Sequence, residues 1–136
     1  MNTTAVLDTS AVFALVDDEK GAEVVERVLR SAAKRQRRVL LSFMTIVETR
    51  YVIAQEQDEA AADYVLSLMK AWPVEWIYPD EFQCLVAARL KAAHRLSMAD
   101  AFIAAAAMQH HAVLVHKDPE FDQLGDELER EPLPYK

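Results

Sequence analysis

Apolar residues recur along this chain in two rhythms. Four short runs, Thr4–Leu7, 39–41, 74–78 and 112–115, are β-branched or aliphatic and nearly continuous. Runs of that length without polar alternation are typical of strands buried on both faces. Between them apolar positions return every three or four residues, the spacing of one helix face. Val25, Val28, Leu29 and Ala32 form one such set, and Tyr64, Val65, Leu68 and Trp72 a second. Phe82, Leu85, Val86, Leu90 and Ala93 form a third, and residues 10–16 make a short first helix. Pro79 suits the first turn of the helix carrying the third set, and Ser97 is the expected N-cap of the next. The tail Pro132-Leu133-Pro134-Tyr135 reads as irregular or as a short edge strand. Strands alternating with helices imply parallel pairing, with helices on both faces of one sheet. No linker, internal repeat or low-complexity segment interrupts the pattern, so residues 1–136 read as a single α/β domain.

Four acidic residues break the apolar pattern. Asp8 ends the first strand, and Asp118 follows the last. Glu48 and Asp100 lie early in helical stretches, Asp100 being the only charge between Arg95 and His110. A helix joining parallel strands runs back antiparallel to them, so its N-terminus sits at the strands' carboxyl edge. All four acids therefore share that edge, where open α/β sheets bind ligands. Each one singly could be a helix cap: Asp8 for the first helix, Asp118 for a short last one. Thr45 to Glu48 and Ser97 to Asp100 also match the capping-box spacing. Capping does not explain why all four meet. Carboxylates brought together repel one another and raise their own pKa values unless cations neutralise them. Hard oxygen ligands in that number suit Mg²⁺ or Mn²⁺, and a pair of such ions supports in-line phosphoryl displacement.

The remaining composition narrows the choice. With two glycines there is no glycine-rich phosphate loop. Cys84 is the sole cysteine, which excludes an internal disulfide and reads as a small core filler in a reducing compartment. No basic region precedes the first apolar run, and the uncharged run 101–108 is too short to span a bilayer. A cytoplasmic protein without membrane contact is the expectation. A net charge of −7 opposes nucleic-acid binding, but ions on the four acids would soften it. Positive charge is concentrated in Arg27, Arg30, Lys34, Arg35, Arg37 and Arg38, either as a helix end complementing its dipole or as an RNA contact. His110 and His111 are adjacent and cannot flank one phosphate from a helix, so they read as an exposed helix end, and His94 as solvent-facing. Ser10 lacks the glycines of a nucleophile elbow. Trp72, Trp76 and Tyr78 read as packing around the third strand, at least two of them in the core.

Four motifs in this order resemble those of the PIN-domain nucleases, and more narrowly the VapC-type toxins of toxin–antitoxin pairs. They are Val6-Leu7-Asp8-Thr9-Ser10-Ala11, the stretch from Ser42 to Glu48, the stretch from Leu96 to Ala105, and that from Ala112 to Phe121. The resemblance covers nearly the whole chain. It implies a three-layer α/β/α sandwich with a central parallel sheet of four to five strands. It also implies a Mg²⁺- or Mn²⁺-dependent endoribonuclease that hydrolyses RNA through a metal-activated water, often as a homodimer and blocked by a cognate antitoxin. Asp8 and Asp100 would be the principal metal ligands, with Glu48 and Asp118 completing the acidic pocket and Ser10 close to the metal and the phosphate. His116 departs from the family, which usually carries Thr or Ser there. Glu120 and Asp122 stand nearby as secondary acids. The alternative is a catalytically silent PIN-like module that binds RNA or protein.

Overall fold

The structure, a computed structural model, describes residues 3–136. Five strands form one fully parallel sheet in the order β3-β2-β1-β4-β5. The chain runs β1 (Thr4–Leu7), α1 (Thr9–Val16), α2 (Ala22–Ala33), β2 (Arg38–Ser42), α3 (Phe43–Glu56), α4 (Glu59–Lys70) and β3 (Glu75–Ile77). It continues through α5 (Glu81–Ala93), α6 (Met98–Gln109), β4 (Val113–His116), a 3₁₀ segment (Pro119–Glu127) and β5 (Arg130–Pro132). The edge strand β5 takes only Pro132 from the tail 132–135, whose other residues are irregular.

Successive strand residues point to opposite faces, and the core divides accordingly. Ala5, Leu7, Val39, Leu41, Val113 and Val115 pack against residues of α1 to α4. Val6, Leu40 and Leu114 face α5, α6 and the 3₁₀ residues Phe121 and Leu124. The result is the expected α/β/α sandwich. Helix α6 is buried on nearly every side because Ala99, Ala101 and Ala104 to Ala107 let neighbouring elements approach closely. It touches both α5 and α3, and so carries a charged residue deep into the molecule.

Several sequence expectations shift. The first strand matches, whereas the third spans only Glu75–Ile77 and lies at the sheet's edge. Strand β4 runs one residue further than expected, so His116 belongs to it and is fully buried. Pro79 precedes Asp80, the N-cap of α5, and lies outside the first turn. Ser42 caps α3, which leaves Thr45 inside the helix rather than starting a capping box. Cys84 is exposed and fills no core space. Phe82 and Leu85, placed on an apolar helix face by their spacing, are 60% and 64% exposed. Gln83, Ala87 and Leu90 take the inner face of α5 instead. Trp72 and Trp76 pack against the core, whereas Tyr78 is exposed. His111 is exposed after α6, and His94 is half-buried against Glu127.

Candidate metal centre

Asp8 leaves the end of β1 and caps α1. Its Oδ2 accepts hydrogen bonds from the backbone N–H of Ser10, at 3.0 Å, and from the Ser10 hydroxyl. The same Ser10 Oγ accepts from the backbone N–H of Lys117 at 2.8 Å, which ties the β1 and β4 ends together. Asp8 is 2% exposed, and its Oδ1 is buried with no hydrogen-bond partner. A buried carboxylate oxygen left unpaired costs free energy unless a cation completes it. Capping and ligation are therefore compatible here, because one oxygen serves each purpose.

Asp100 sits in the first turn of α6, whose N-cap Ser97 accepts from the Asp100 N–H at 3.1 Å. That cap holds the backbone and leaves the 5% exposed carboxyl directed elsewhere. Asp118 caps the 3₁₀ segment, its Oδ1 accepting from Glu120 N at 2.9 Å. Oxygens of Asp100, Asp118 and Glu120 lie within 4.8 Å of one another. Glu120 is also positioned by Ser97 N, which donates to its Oε1 at 3.0 Å. Glu48 enters from α3, held by the Thr9 hydroxyl donating to Oε1 at 2.7 Å, while Thr9 and Thr45 share a 3.0 Å hydroxyl contact.

The electrostatics follow from this crowding. Burial pushes Asp100 up to about 9, with Asp8, Asp118 and Glu120 adding repulsion. Burial likewise raises Asp8 to about 7, opposed by its Ser10 bonds and reinforced by Glu48 and Asp118. Glu48 is raised by burial and by Asp118, with Thr9 pulling the other way. Among the described residues no ion pair reaches Asp8, Glu48, Asp100 or Asp118. The nearby ammonium of Lys117 is engaged by Glu19 and the Lys20 carbonyl. An all-oxygen donor set, an orphaned carboxylate oxygen and the absence of a compensating cation fit Mg²⁺ or Mn²⁺. Beside the acids, a cleft of about 510 Å³ opens between α1, α3 and the C-terminal residues, with Ser10 and Asp118 on its wall.

The other two candidates lie in a neighbouring network, His116 also meeting the backbone of Asp118. Asp122 accepts from Arg130 at 2.9 Å and from the Tyr135 hydroxyl at 2.7 Å. His116 packs edge-on to Phe121, with Nε2 3.4 Å from Arg130 Nη1. Burial first and Arg130 second lower its pKa, so the ring is neutral near neutrality. Sequence reasoning ranked Glu120 below its place in the cluster and overlooked Thr9. For Glu120 the available signal was its position two residues beyond Asp118 in the same short turn. Thr9 carried no local signal, because its partner is 39 residues away.

The sequence pattern of the PIN domain family matches residues 5–127. Among curated proteins, no sequence matches this chain. Solved structures share the fold. VapBC2 from Rickettsia felis, bound to a DNA fragment from its promoter, superposes with a TM-score of 0.79 at 16% identity, covering 96% of this chain and 99% of that one. VapBC-1 from nontypeable Haemophilus influenzae gives 0.72 at 24% identity, covering 95% and 97%. VapC20 from Mycobacterium tuberculosis, described as a sarcin–ricin loop cleaving toxin, gives 0.70 at 17% identity, covering 89% and 95%.

Proposed function

The chain belongs to the PIN domain family, and on that premise we propose that it is a Mg²⁺- or Mn²⁺-dependent endoribonuclease, the toxin of a toxin–antitoxin pair. One observation carries this reading: buried carboxylates gather at the ligand-binding edge of the sheet without a protein cation, and Asp8 Oδ1 has no partner. Asp8, Asp100, Asp118 and Glu48 are the residues that would hold the ions, with Glu120 as an additional ligand. Ions held there would supply positive charge for displacement at phosphorus. Ser10 locks Asp8 in orientation, and Thr9 does the same for Glu48. The neighbouring cleft offers RNA a path to the rim. His116 points into its own packed network, which favours this reading over a silent module.

The family likeness to toxin–antitoxin complexes supports an antitoxin partner. Exposed apolar side chains on α3 and α5, among them Val47, Tyr51, Phe82 and Leu85, support protein contacts, including a homodimer. No helix among the described residues is long and apolar enough to cross a membrane, and the RNA substrate points to a cytoplasmic site of action. The test is incubation of the purified protein with total cellular RNA. Fragments are expected with Mg²⁺ or Mn²⁺ and none with chelator; intact RNA in both metals would overturn the proposal.

A further inference from the structure

One corner of the sheet edge opposite the acids gathers positive charge, although Glu75 and Glu129 begin or precede other strands on that edge. Helix α2 ends there and β2 begins there, bringing together Arg27, Lys34, Arg35 and Arg37. The chain has 15 Lys and Arg residues. Most are spent on partners: Arg30 on Glu26, Arg38 on Glu75, Arg50 on Glu59 and Asp63, Arg130 on Asp122. Arg89, Lys117 and Lys136 are likewise paired, Lys91 donates to a backbone carbonyl, and Lys70 lies over Trp76. Among the described residues, the six without such a partner are Lys20, Arg95 and these four. Arg37 Nε is buried and unpaired. Arg37 lies between two clefts, of about 370 Å³ beside Arg27 and about 480 Å³ beside Arg35. Glu131 lines the first, and Glu75, already held by Arg38, the second. The dipole of α2 accounts for cations in its last turn; it does not account for Arg37, beyond the helix at the start of β2.

We propose that this amino-edge patch binds backbone phosphates of the RNA whose scissile bond lies at the acidic rim. The naming of RNA rests on the nuclease reading; the anion site rests on the patch itself. A rim of carboxylates in a chain of net charge −7 repels a polyanion until ions arrive. Attraction to RNA must come from elsewhere, and the free cations are concentrated here. Guanidinium forks match phosphate oxygens two at a time. The patch and the rim are separated by the strand length, about 15 Å for strands of this size. An RNA that reaches around the fold can touch both ends.

The experiment measures binding of a labelled RNA stem-loop by fluorescence anisotropy in chelator, on the Asp8→Asn protein, across a salt series. Replacing Arg27, Lys34, Arg35 and Arg37 together by Gln is expected to weaken binding at least tenfold. The slope of log affinity against log salt should flatten by about 0.7–0.9 for each phosphate that the patch no longer neutralises. Lys34→Gln with Arg35→Gln, both exposed, should give part of the effect without touching the half-buried Arg37. Unchanged affinity and slope would overturn the proposal. So would an equal loss from Lys70→Gln with Arg89→Gln, which would show bulk charge only. Retained RNA binding with lost polyglutamate binding would assign the patch to an acidic protein and also overturn it. The two readings fail separately. Patch-dependent binding without cleavage in either metal sinks only the nuclease, and full cleavage of a folded RNA by the quadruple variant sinks only the patch.

Discussion

Two polar clusters lie side by side near the end of β4, one with an exposed and partnered aspartate, the other with a buried aspartate among acids. Around Asp122 the carboxylate is fully engaged: Arg130 and Tyr135 donate to it, and its pKa falls, chiefly through the Tyr135 hydrogen bond. Around Asp100 burial first, and then neighbouring acids, make the pKa climb. The first cluster closes the tail onto the fold and pairs its carboxylate, though His116 Nδ1 and Arg130 Nε stay without partners. The second is complete only with something added. An aspartate near a family motif is therefore not a ligand by proximity, since its partners decide whether it is structural or available to a ligand.

The sharpest way to break the contrast is to remove one acid from each side. Asp8→Asn is expected to reduce cleavage by roughly 10²–10³-fold or more, the size of losing one preorganised electrostatic group, while the protein stays folded. Asp122→Asn should leave cleavage near wild type. Single-turnover assays on one RNA compare the two, and equal loss in both would erase the distinction. Next comes the support of Glu48. Thr9→Val keeps the shape but removes the hydroxyl that donates to it, and cleavage should fall about 10-fold to 100-fold, as for groups that orient metal ligands. Unchanged activity would mean Glu48 needs no orienting.

The stability of the metal-free protein should also separate the clusters. A carboxyl whose folded pKa is raised binds its proton more tightly in the folded state. The stability it contributes is present below the unfolded pKa and lost as pH rises through the folded value. For Asp8 at about 7 and Asp100 at about 9, metal-free Tm should fall as pH rises from the ordinary aspartate value of 3.8, with Asp8's share spent by about pH 7 and Asp100's continuing to about pH 9. Asp122, with its lowered pKa, contributes fully above the ordinary carboxylate range and loses its contribution only in acid. His116, whose pKa is also lowered, loses stability only as pH falls through the ordinary histidine range. Millimolar Mn²⁺ should raise Tm most at pH 9, because ions bind the folded site. A flat metal-free profile from pH 7 to 9 would contradict the buried charge. The smallest effect concerns His116. His116→Thr removes a fully buried ring packed against Phe121 and should cost about 1–3 kcal/mol in urea unfolding. Cleavage should change little, and a large gain would show that the ring had been suppressing the site.

Much of this was legible from local sequence. The apolar runs located the strands, and their alternation with helical spacing implied a parallel sheet covered on both faces. Asp8 and Asp118 could be placed at the carboxyl edge because a strand's end is visible in the residues that compose it. Asp100 followed from the Ser97 cap and the alanines around it. Local pattern failed where spacing was read as burial: Phe82 and Leu85 keep helical periodicity yet face outward, because Gln83, Ala87 and Leu90 meet α6 and the sheet.

What the sequence alone determined was the type and order of elements, and hence the edge at which the acids meet, because backbone preference and hydrophobic period act over a few residues. Only the tertiary structure decided which acids receive partners. The Thr9 bond to Glu48 spans 39 residues and the Lys117 bond to Ser10 spans 107. Charge compensation depends on which groups packing brings within hydrogen-bond reach, and distances of that kind are set by the assembled core rather than by neighbours along the chain.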